Sequence, residues 1–274
     1  MPTASVNGIE LNYREAGEGF PIVLIHGFTG NLRNWALTVP ALVQQFRTIC
    51  VDLRGHGHSH KPTRAEDYTA EAMAEDVHGL MRHLGIAQCY LAGHSMGGMV
   101  AQQLILAHPS PFRALVLVDT AAEIPDSLLH HERRAERERL VEIAREQGME
   151  AVFEEQLKAS PQAPLLSPQF LNLWREQFLL TSRDAYIHCA QAMGKRRPLL
   201  EKLPAVQVPA LIICGENDEP FVESSRRMHE RIAGSDLVMI AGAGHTPQIE
   251  KAQEFNAVLT GFLARVHQTV AAGG

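Results

Sequence analysis

The sequence predicts an α/β fold built around a mainly parallel sheet. Six short apolar runs, bounded by glycine, proline or aspartate, alternate with segments that carry apolar residues at helical spacing. The continuous apolar character of these runs is typical of strands that helices cover on both faces. One long stretch interrupts the alternation and contains no strand-like run. The chain has 274 residues, so a sheet of this kind can bury a large core.

Two hairpin strands come first, at residues 4–6 and 10–13, joined by the turn dipeptide Asn7-Gly8. The six apolar runs then predict strands at 21–26, 46–52, 89–93, 114–119, 210–214 and 237–241. Apolar periodicity predicts helices at 34–44, 70–84, 97–107 and 253–266. These elements together predict a mostly parallel eight-stranded sheet flanked by helices.

The interruption falls after the sixth strand. Residues 123–202 are charged and punctuated by prolines, and residues 130–145 predict a solvated helix with internal acid–base pairs. Further helical segments are predicted around 149–158, 168–180 and 184–193. We expect residues 123–202 to form an inserted helical lid over the strand ends, while 1–122 and 203–274 form the sheet domain.

Composition excludes several classes of partner. The net charge of −6 gives no electrostatic footprint for nucleic acid. No apolar run approaches the roughly 20 residues that span a bilayer, and the first residues do not resemble a signal peptide. The four cysteines are scattered without a C-x-x-C pair. We therefore expect a cytoplasmic protein that acts on a small molecule, without nucleic-acid or membrane partners; a homodimer stays open.

The most informative motif is Gly93-His94-Ser95-Met96-Gly97, which lies between a predicted strand and a predicted helix. This G-x-S-x-G pattern, in this context, is typical of a sharp strand-to-helix turn that presents a serine hydroxyl at the end of the strand. The two glycines let neighbouring backbone pass close to the turn. Ser95 is therefore the predicted nucleophile, and a serine in an ordinary loop is the alternative interpretation.

A serine hydroxyl is a weak nucleophile without a base, and the base in turn needs an orienting acid. Asp218 and His245 each directly follow a predicted strand, and they come after Ser95 in the order serine, acid, histidine. Parallel strands end at one edge of the sheet, so the three side chains can meet there. Asp119 also ends a predicted strand and stays open as an alternative acid.

Acyl transfer also needs donors for the developing oxyanion. The backbone N–H of Met96 directly follows the nucleophile and is one expected donor. The loop after the first parallel strand, His26-Gly27-Phe28-Thr29-Gly30, supplies the other, with the N–H of Phe28 as the expected group.

These motifs together resemble the α/β-hydrolase superfamily, in particular its lid-bearing esterase, lactonase and C–C hydrolase branch. The segments that carry the resemblance are His26-Gly27-Phe28, Asp52-Leu53-Arg54-Gly55-His56-Gly57-His58-Ser59, Gly93-His94-Ser95-Met96-Gly97-Gly98, Gly215-Glu216-Asn217-Asp218 and Gly244-His245. The resemblance implies an α/β-hydrolase fold and a cofactor-free hydrolase with a Ser95, His245, Asp218 triad.

Departures from particular relatives narrow the activity. A serine nucleophile disfavours the dehalogenases and epoxide hydrolases of this fold, which use aspartate. Met99 stands where similar menaquinone-pathway synthases carry arginine. The loop Gly27-Phe28-Thr29-Gly30 differs from the Gly-Pro-Gly-Ala-like loop of meta-cleavage-product hydrolases. His56, His58 and His60 could suggest a metal site, but the resemblance assigns that segment to a structural turn, so we expect no metal.

The predicted function is hydrolysis of a carboxylic ester with a small to medium apolar or aromatic substrate. The residues predicted to line its pocket are Gly27, Met99, Phe153, Trp174 and Phe178. Packing of the lid aromatics within the lid itself is the alternative. With the same triad, an enol-lactonase, a C–C bond hydrolase or a cofactor-free perhydrolase remains open, and so does a non-catalytic receptor for a small ligand.

Overall fold

The computed structural model describes residues 2–125, 131–160 and 167–272. Eight strands form one sheet: β1 Thr3–Val6, β2 Ile9–Ala16, β3 Phe20–Ile25, β4 Phe46–Val51, β5 Cys89–His94, β6 Phe112–Val118, β7 Ala210–Gly215 and β8 Asp236–Ile240. The described α-helices of the sheet domain are α1 Val39–Leu42, α2 Ala70–His83, α3 Met96–Ala107, α8 Glu219–Arg231, α9 Pro247–Glu250 and α10 Ala252–Ala272. Between β6 and β7 the described residues form four further α-helices: α4 His131–Gln147, α5 Met149–Ala159, α6 Pro168–Phe178 and α7 Arg183–Met193.

The strand order is β1-β2-β4-β3-β5-β6-β7-β8. The first two strands form an antiparallel hairpin, and β2 also pairs antiparallel with β4. The pairings from β4 to β8 are all parallel. The carboxyl ends of β5, β7 and β8 therefore lie along one edge of the sheet, which is where a doubly covered parallel sheet places its ligand sites.

Helices cover the parallel strands on both faces. Alternate residues of β3 divide between two cores: Val23 and Ile25 pack with α2 and α3, while Ile22 and Leu24 pack with α10. Because side chains alternate along a strand, a continuous apolar run fills both cores at once. This arrangement confirms the predicted mostly parallel eight-stranded sheet with flanking helices.

The helical insertion after β6 is likewise confirmed, and it has a core of its own. Val152, Phe153, Phe178 and Tyr186 are buried there among the insertion's apolar residues. The outer face of α4 carries exposed ion pairs, such as Arg134 with Glu138. Pairs of this kind contribute little to stability, so the aromatic cluster is the main source of cohesion in the insertion.

One predicted helix is wrong in detail. Residues 34–44 do not form a continuous helix: a 3₁₀ turn, Leu32–Trp35, precedes the single turn of α1. Asn31 caps the first turn through its side chain. Pro40 lies in the first turn of α1, where the N–H that proline lacks would have no partner within the helix. In a helix that began at residue 34, the same proline would remove a backbone hydrogen bond. Helix α8 was not among the sequence-predicted helices.

The hairpin turn and the cysteines follow the sequence interpretation. Asn7 and Gly8 both adopt positive φ, which a tight two-residue hairpin turn requires. All four cysteines are free and buried.

Helices long and apolar enough to cross a bilayer are absent from the described ranges. The predicted lid boundaries, 123–202, stay a prediction, since residues 126–130 and 161–166 lie outside the described residues.

Candidate active site

Ser95 stands at the junction of β5 and α3 with a strained backbone. Its φ of 52° and ψ of −118° fall outside the conformations that non-glycine residues usually adopt. The surrounding structure holds this conformation from two sides. The Ser95 N–H donates to the Val118 carbonyl oxygen at 2.8 Å, and the Thr120 hydroxyl donates to the Ser95 carbonyl oxygen at 2.7 Å. The strain is thus maintained by the neighbouring strand β6.

The glycines of the elbow are required by close backbone approach. A Cβ placed on Gly93 would lie 2.3 Å from the Gly97 carbonyl oxygen. A Cβ on Gly97 would lie 2.4 Å from the carbonyl oxygen of His26. Both contacts involve backbone, which cannot move aside as a flexible side chain can. Only glycine fits at these positions, so the loop after β3 packs directly against the serine turn.

Asp218 and His245 reach Ser95 from the ends of β7 and β8. His245 Nδ1 donates to Asp218 Oδ2 at 2.7 Å, and Ser95 Oγ lies 2.9 Å from His245 Nε2. With the proton on Nδ1, the Nε2 lone pair faces the serine hydroxyl, which is the tautomer that a general base needs. The Asp218 side chain is 7% exposed and that of His245 is 42% exposed. The His245 imidazole is therefore partly open to solvent, while the Asp218 carboxylate is sheltered.

Two further residues position His245, and sequence reasoning assigned neither to this task. His94 Nε2 donates to the His245 carbonyl oxygen at 2.7 Å, and the Phe221 ring lies 4.9 Å from the His245 ring. Burial, together with His245, lowers the pKa of His94 to about 3, so His94 is neutral at ordinary pH. The place of His94 inside the motif beside Ser95 was a signal that could have pointed to it.

Asp119 lies beside this site but does not contact His245 among the hydrogen bonds of the described residues. Its Oδ1 accepts the Gly215 N–H at 2.8 Å. Its carboxylate, the Cys214 thiol and the Asp218 carboxylate lie within 4.8 Å of one another. Burial and the adjacent Asp218 raise the pKa of Asp119 well above its usual range. A protonated Asp119 is neutral, so it adds no negative charge beside the Asp218 carboxyl group.

The loop after β3 brings the Phe28 backbone toward the serine turn. His26 holds this loop: its Nε2 accepts the Leu53 N–H at 3.0 Å, and its Nδ1 donates to the Gly27 carbonyl oxygen at 2.7 Å. Burial lowers the pKa of His26 to about 4, in keeping with this neutral form. A Cβ on Gly27 would lie 3.1 Å from the Ser95 Cβ, so this glycine forms part of the floor of the site.

The second expected oxyanion donor, Met96, is the first residue of α3. The first N–H groups of a helix have no partner within the helix, and they lie at its positive end. This position suits the N–H of Met96 for a developing negative charge. The Phe28 ring stacks on Tyr186 of α7 at 5.0 Å, so the oxyanion loop also contacts the insertion.

The predicted pocket residues divide into two groups. Met99 lines a cavity beside the elbow. Phe153, Trp174 and Phe178 instead contact one another, with ring centroids 5.2 and 5.5 Å apart, and none of the three belongs to that cavity's wall. The structure therefore places these three aromatic side chains inside the insertion, as the alternative interpretation has it.

Side chains that could ligate a metal occur at two places within the described residues. Glu75, His78 and His108 cluster on the surface, where the two imidazoles stack at 3.8 Å and His108 already binds Glu75. The other group, Asp119, Cys214 and Asp218, is engaged with His245 and β7. His56, from the alternating histidines, is buried and hydrogen-bonded to the Arg54 carbonyl oxygen, as a structural turn requires.

Comparison with known proteins agrees with this geometry. A family model of the alpha/beta hydrolase fold matches residues 21–252. The chain is 27% identical to 3-oxoadipate enol-lactonase 2 of Acinetobacter baylyi, over 96% of this chain and 96% of that protein.

Two solved structures superpose on nearly the whole chain. The enol-lactonase from Burkholderia xenovorans LB400 has a TM-score of 0.85 and 33% identity, covering 96% of this chain and 100% of that one. A thermophilic esterase from Thermogutta terrifontis has a TM-score of 0.85 and 30% identity, covering 97% and 98%. By its family match, its sheet and the serine turn between β5 and α3, this chain belongs to the α/β-hydrolase family of enzymes.

Proposed function

We propose that the protein is a serine hydrolase that cleaves a carboxylic ester through an acyl-enzyme. The observation that carries the proposal is the continuous hydrogen-bonded series from Asp218 through His245 to the Ser95 hydroxyl, at 2.7 and 2.9 Å. Such a series supplies an activated nucleophile and a base already held in the productive tautomer. At the carboxyl ends of β5, β7 and β8, Ser95 is buried, whereas the His245 side chain is partly exposed.

In the first half-reaction Ser95 Oγ attacks the ester carbonyl carbon while its proton passes to His245 Nε2. The carbonyl electron pair moves to oxygen, and the N–H groups of Met96 and Phe28 stabilise the resulting oxyanion, a contribution of roughly 3–4 kcal/mol per donor. Collapse of this intermediate breaks the bond to the leaving oxygen, which takes the proton from His245. Asp218 stays ionised throughout and stabilises the imidazolium.

In the second half-reaction water attacks the Ser95 ester, and His245 accepts a proton from that water. The tetrahedral intermediate expels Ser95 Oγ, which recovers the proton, and the carboxylic acid departs. Because water is the acceptor, the site must admit it once the alcohol has left, and the 42% exposure of the His245 side chain is compatible with this.

Enol-lactone hydrolysis is the second candidate, favoured by the likeness to two enol-lactonases over nearly the whole chain. A lactone is an internal ester, so the same steps open its ring without releasing a separate alcohol. C–C bond hydrolysis and perhydrolysis would use the same three residues on other substrates. A panel of p-nitrophenyl esters, an enol-lactone and a vinylogous diketone separates these activities.

Labelling with a fluorophosphonate probe tests the nucleophile. We expect intact-mass analysis to show one covalent adduct on the wild-type protein and none on Ser95→Ala. We also expect Ser95→Ala to lower kcat for p-nitrophenyl butyrate by roughly four to six orders of magnitude. Folded wild-type protein that neither labels nor hydrolyses any ester would instead support the non-catalytic receptor, and circular dichroism of both proteins verifies folding.

A further inference from the structure

A cavity of about 250 Å³ opens beside the elbow. Met96 and Met99, on the first turn of α3, form one side of it, and Ala121 and Ala122, just after β6, form another. Met96 directly follows Ser95 in the chain, so this wall belongs to the same turn as the nucleophile, although Ser95, His245 and Phe28 do not themselves line the cavity. Its volume lies near the lower end of the roughly 300–1,000 Å³ typical of ligand pockets, which favours a short substrate chain.

One part of the wall of this mainly apolar cavity is cationic. Lys195, Arg196 and Arg197 follow one another in the segment that leads from the insertion back to β7, and all three line the cavity. Arg196 is half-buried and is held by backbone carbonyl groups: its Nη1 donates to Met193 at 2.8 Å and its Nη2 to Glu123. These bonds place its guanidinium rigidly against the cavity.

Within the described residues no carboxylate forms an ion pair with Lys195, Arg196 or Arg197, although the charge of Glu123 acts on Arg196 from nearby. The Glu123 carboxylate pairs with Arg227 instead, and the Glu71 carboxylate, on the cavity wall, accepts a hydrogen bond from Gln103 at 2.9 Å. The Nε of Arg196 is buried and has no hydrogen-bond partner among the residues described. Burial, with the nearby Arg137, lowers the pKa of Arg196 to about 10, so the side chain keeps its charge at neutral pH.

A sheltered guanidinium that has no direct ion pair is unfavourable, and an anion that enters the cavity lowers that cost. The planar guanidinium matches a carboxylate in geometry, and the apolar wall strengthens their attraction by excluding water. We propose that the cavity binds an ester whose acyl chain is short, apolar along its length and ends in a carboxylate, which Arg196 binds. This inference rests on the proposed ester hydrolysis and names its substrate class.

Two esters with the same leaving group test the proposal: the mono-p-nitrophenyl ester of glutaric acid, which is anionic, and p-nitrophenyl butyrate, which is neutral. We expect wild-type kcat/KM to be at least tenfold higher for the glutarate ester. Arg196→Gln should lower kcat/KM for the glutarate ester about 10- to 100-fold, mainly through KM, because it removes a charge-assisted contact. It should leave the butyrate ester within about threefold, and Arg196→Lys should recover part of the loss.

Arg82→Gln is the matched control, since it removes an equally charged side chain from the exposed end of α2, and it should change neither ester. An Arg196→Gln protein that loses activity equally on both esters shows that Arg196 only braces the insertion, which overturns the proposal. So does a wild-type enzyme that prefers the butyrate ester, or that labels at Ser95 and hydrolyses neither. Absence of both labelling and ester turnover would instead reject the proposed function.

Discussion

The carboxyl edge of the sheet and the helical insertion are held together by different kinds of contact. At the sheet edge, backbone packs on backbone: the turn around Ser95 fits only because Gly97 allows the His26 carbonyl to approach. The insertion is instead held together by side chains, through the buried contacts around Phe153 and through exposed ion pairs on α4. Backbone contacts tolerate no added atom, whereas side-chain contacts tolerate repacking.

This difference separates two tasks. The proposed catalytic side chains stand at or just beyond the ends of β5, β7 and β8, in short connections whose ends the sheet holds in place. The insertion instead contributes to the cavity wall, through Met193 on α7 and the cations at 195–197. We therefore expect substitutions in the insertion to alter this cavity wall more than they displace Ser95 or His245.

The largest expected effect distinguishes two carboxylates at the sheet edge. Asp218→Ala should lower kcat for p-nitrophenyl butyrate about 10⁴-fold, because His245 loses the partner that orients its ring and stabilises its charged form. Asp119→Asn should lower kcat by less than tenfold, since asparagine still accepts the Gly215 N–H and stays neutral. Steady-state kinetics of the two variants measures the contrast. The reverse ranking would assign the acid to Asp119.

The next prediction compares a methyl group added at the elbow with two methyl groups removed from the insertion's core. Gly97→Ala forces a Cβ against backbone oxygen at the elbow and should lower kcat by about 100-fold, because small displacements of reacting groups are costly. Val152→Ala removes buried methyl groups from the insertion's core and should leave kcat for a small acetate ester within about threefold.

Each of these two substitutions should lower the free energy of unfolding by roughly 1–3 kcal/mol, as measured by urea denaturation. The comparison is informative because similar losses of stability should have different consequences for catalysis. Similar losses of kcat would show that the insertion positions the catalytic atoms as much as the sheet does.

The last comparison concerns how stability depends on pH, and it involves the smallest expected change in kcat. The pKa of Asp119 is raised in the folded protein, so the folded state holds a proton that the unfolded chain releases above its ordinary pKa, near 4. The stabilisation by this proton is complete below that ordinary pKa and is lost as pH rises toward the raised value. Asp119→Asn abolishes the titration and should flatten the alkaline decline of stability by at most about 1.4 kcal/mol per pH unit.

Thermal unfolding of the wild type and Asp119→Asn from pH 5 to pH 9 measures this difference. The insertion's exposed pair Arg134 and Glu138 serves as the reference, because Glu138→Gln removes a carboxylate that solvent screens and should leave the pH profile unchanged. Parallel profiles for the wild type and Asp119→Asn would mean that Asp119 is ionised in the folded protein.

Much of the fold was predictable because its signals are local. Apolar runs of strand length and the turn dipeptide Asn7-Gly8 depend on neighbouring residues alone. The G-x-S-x-G motif around Ser95 was equally recognisable, because its glycines are needed where neighbouring backbone packs too closely for a side chain. The broken helix at 34–44 was missed because Pro40 fits a first turn as well as it interrupts a longer helix.

The sequence by itself determined the family, the strands and most of the helices, and it singled out Ser95, Asp218 and His245 by their order after predicted strands. Only the tertiary structure brought Asp218 rather than Asp119 to His245, since both acids end strands and the distance between non-adjacent loops is set by sheet packing. It also placed Phe153 within the insertion's core and Arg196 on the cavity wall. Such contacts join residues far apart in the chain, so no local pattern encodes them.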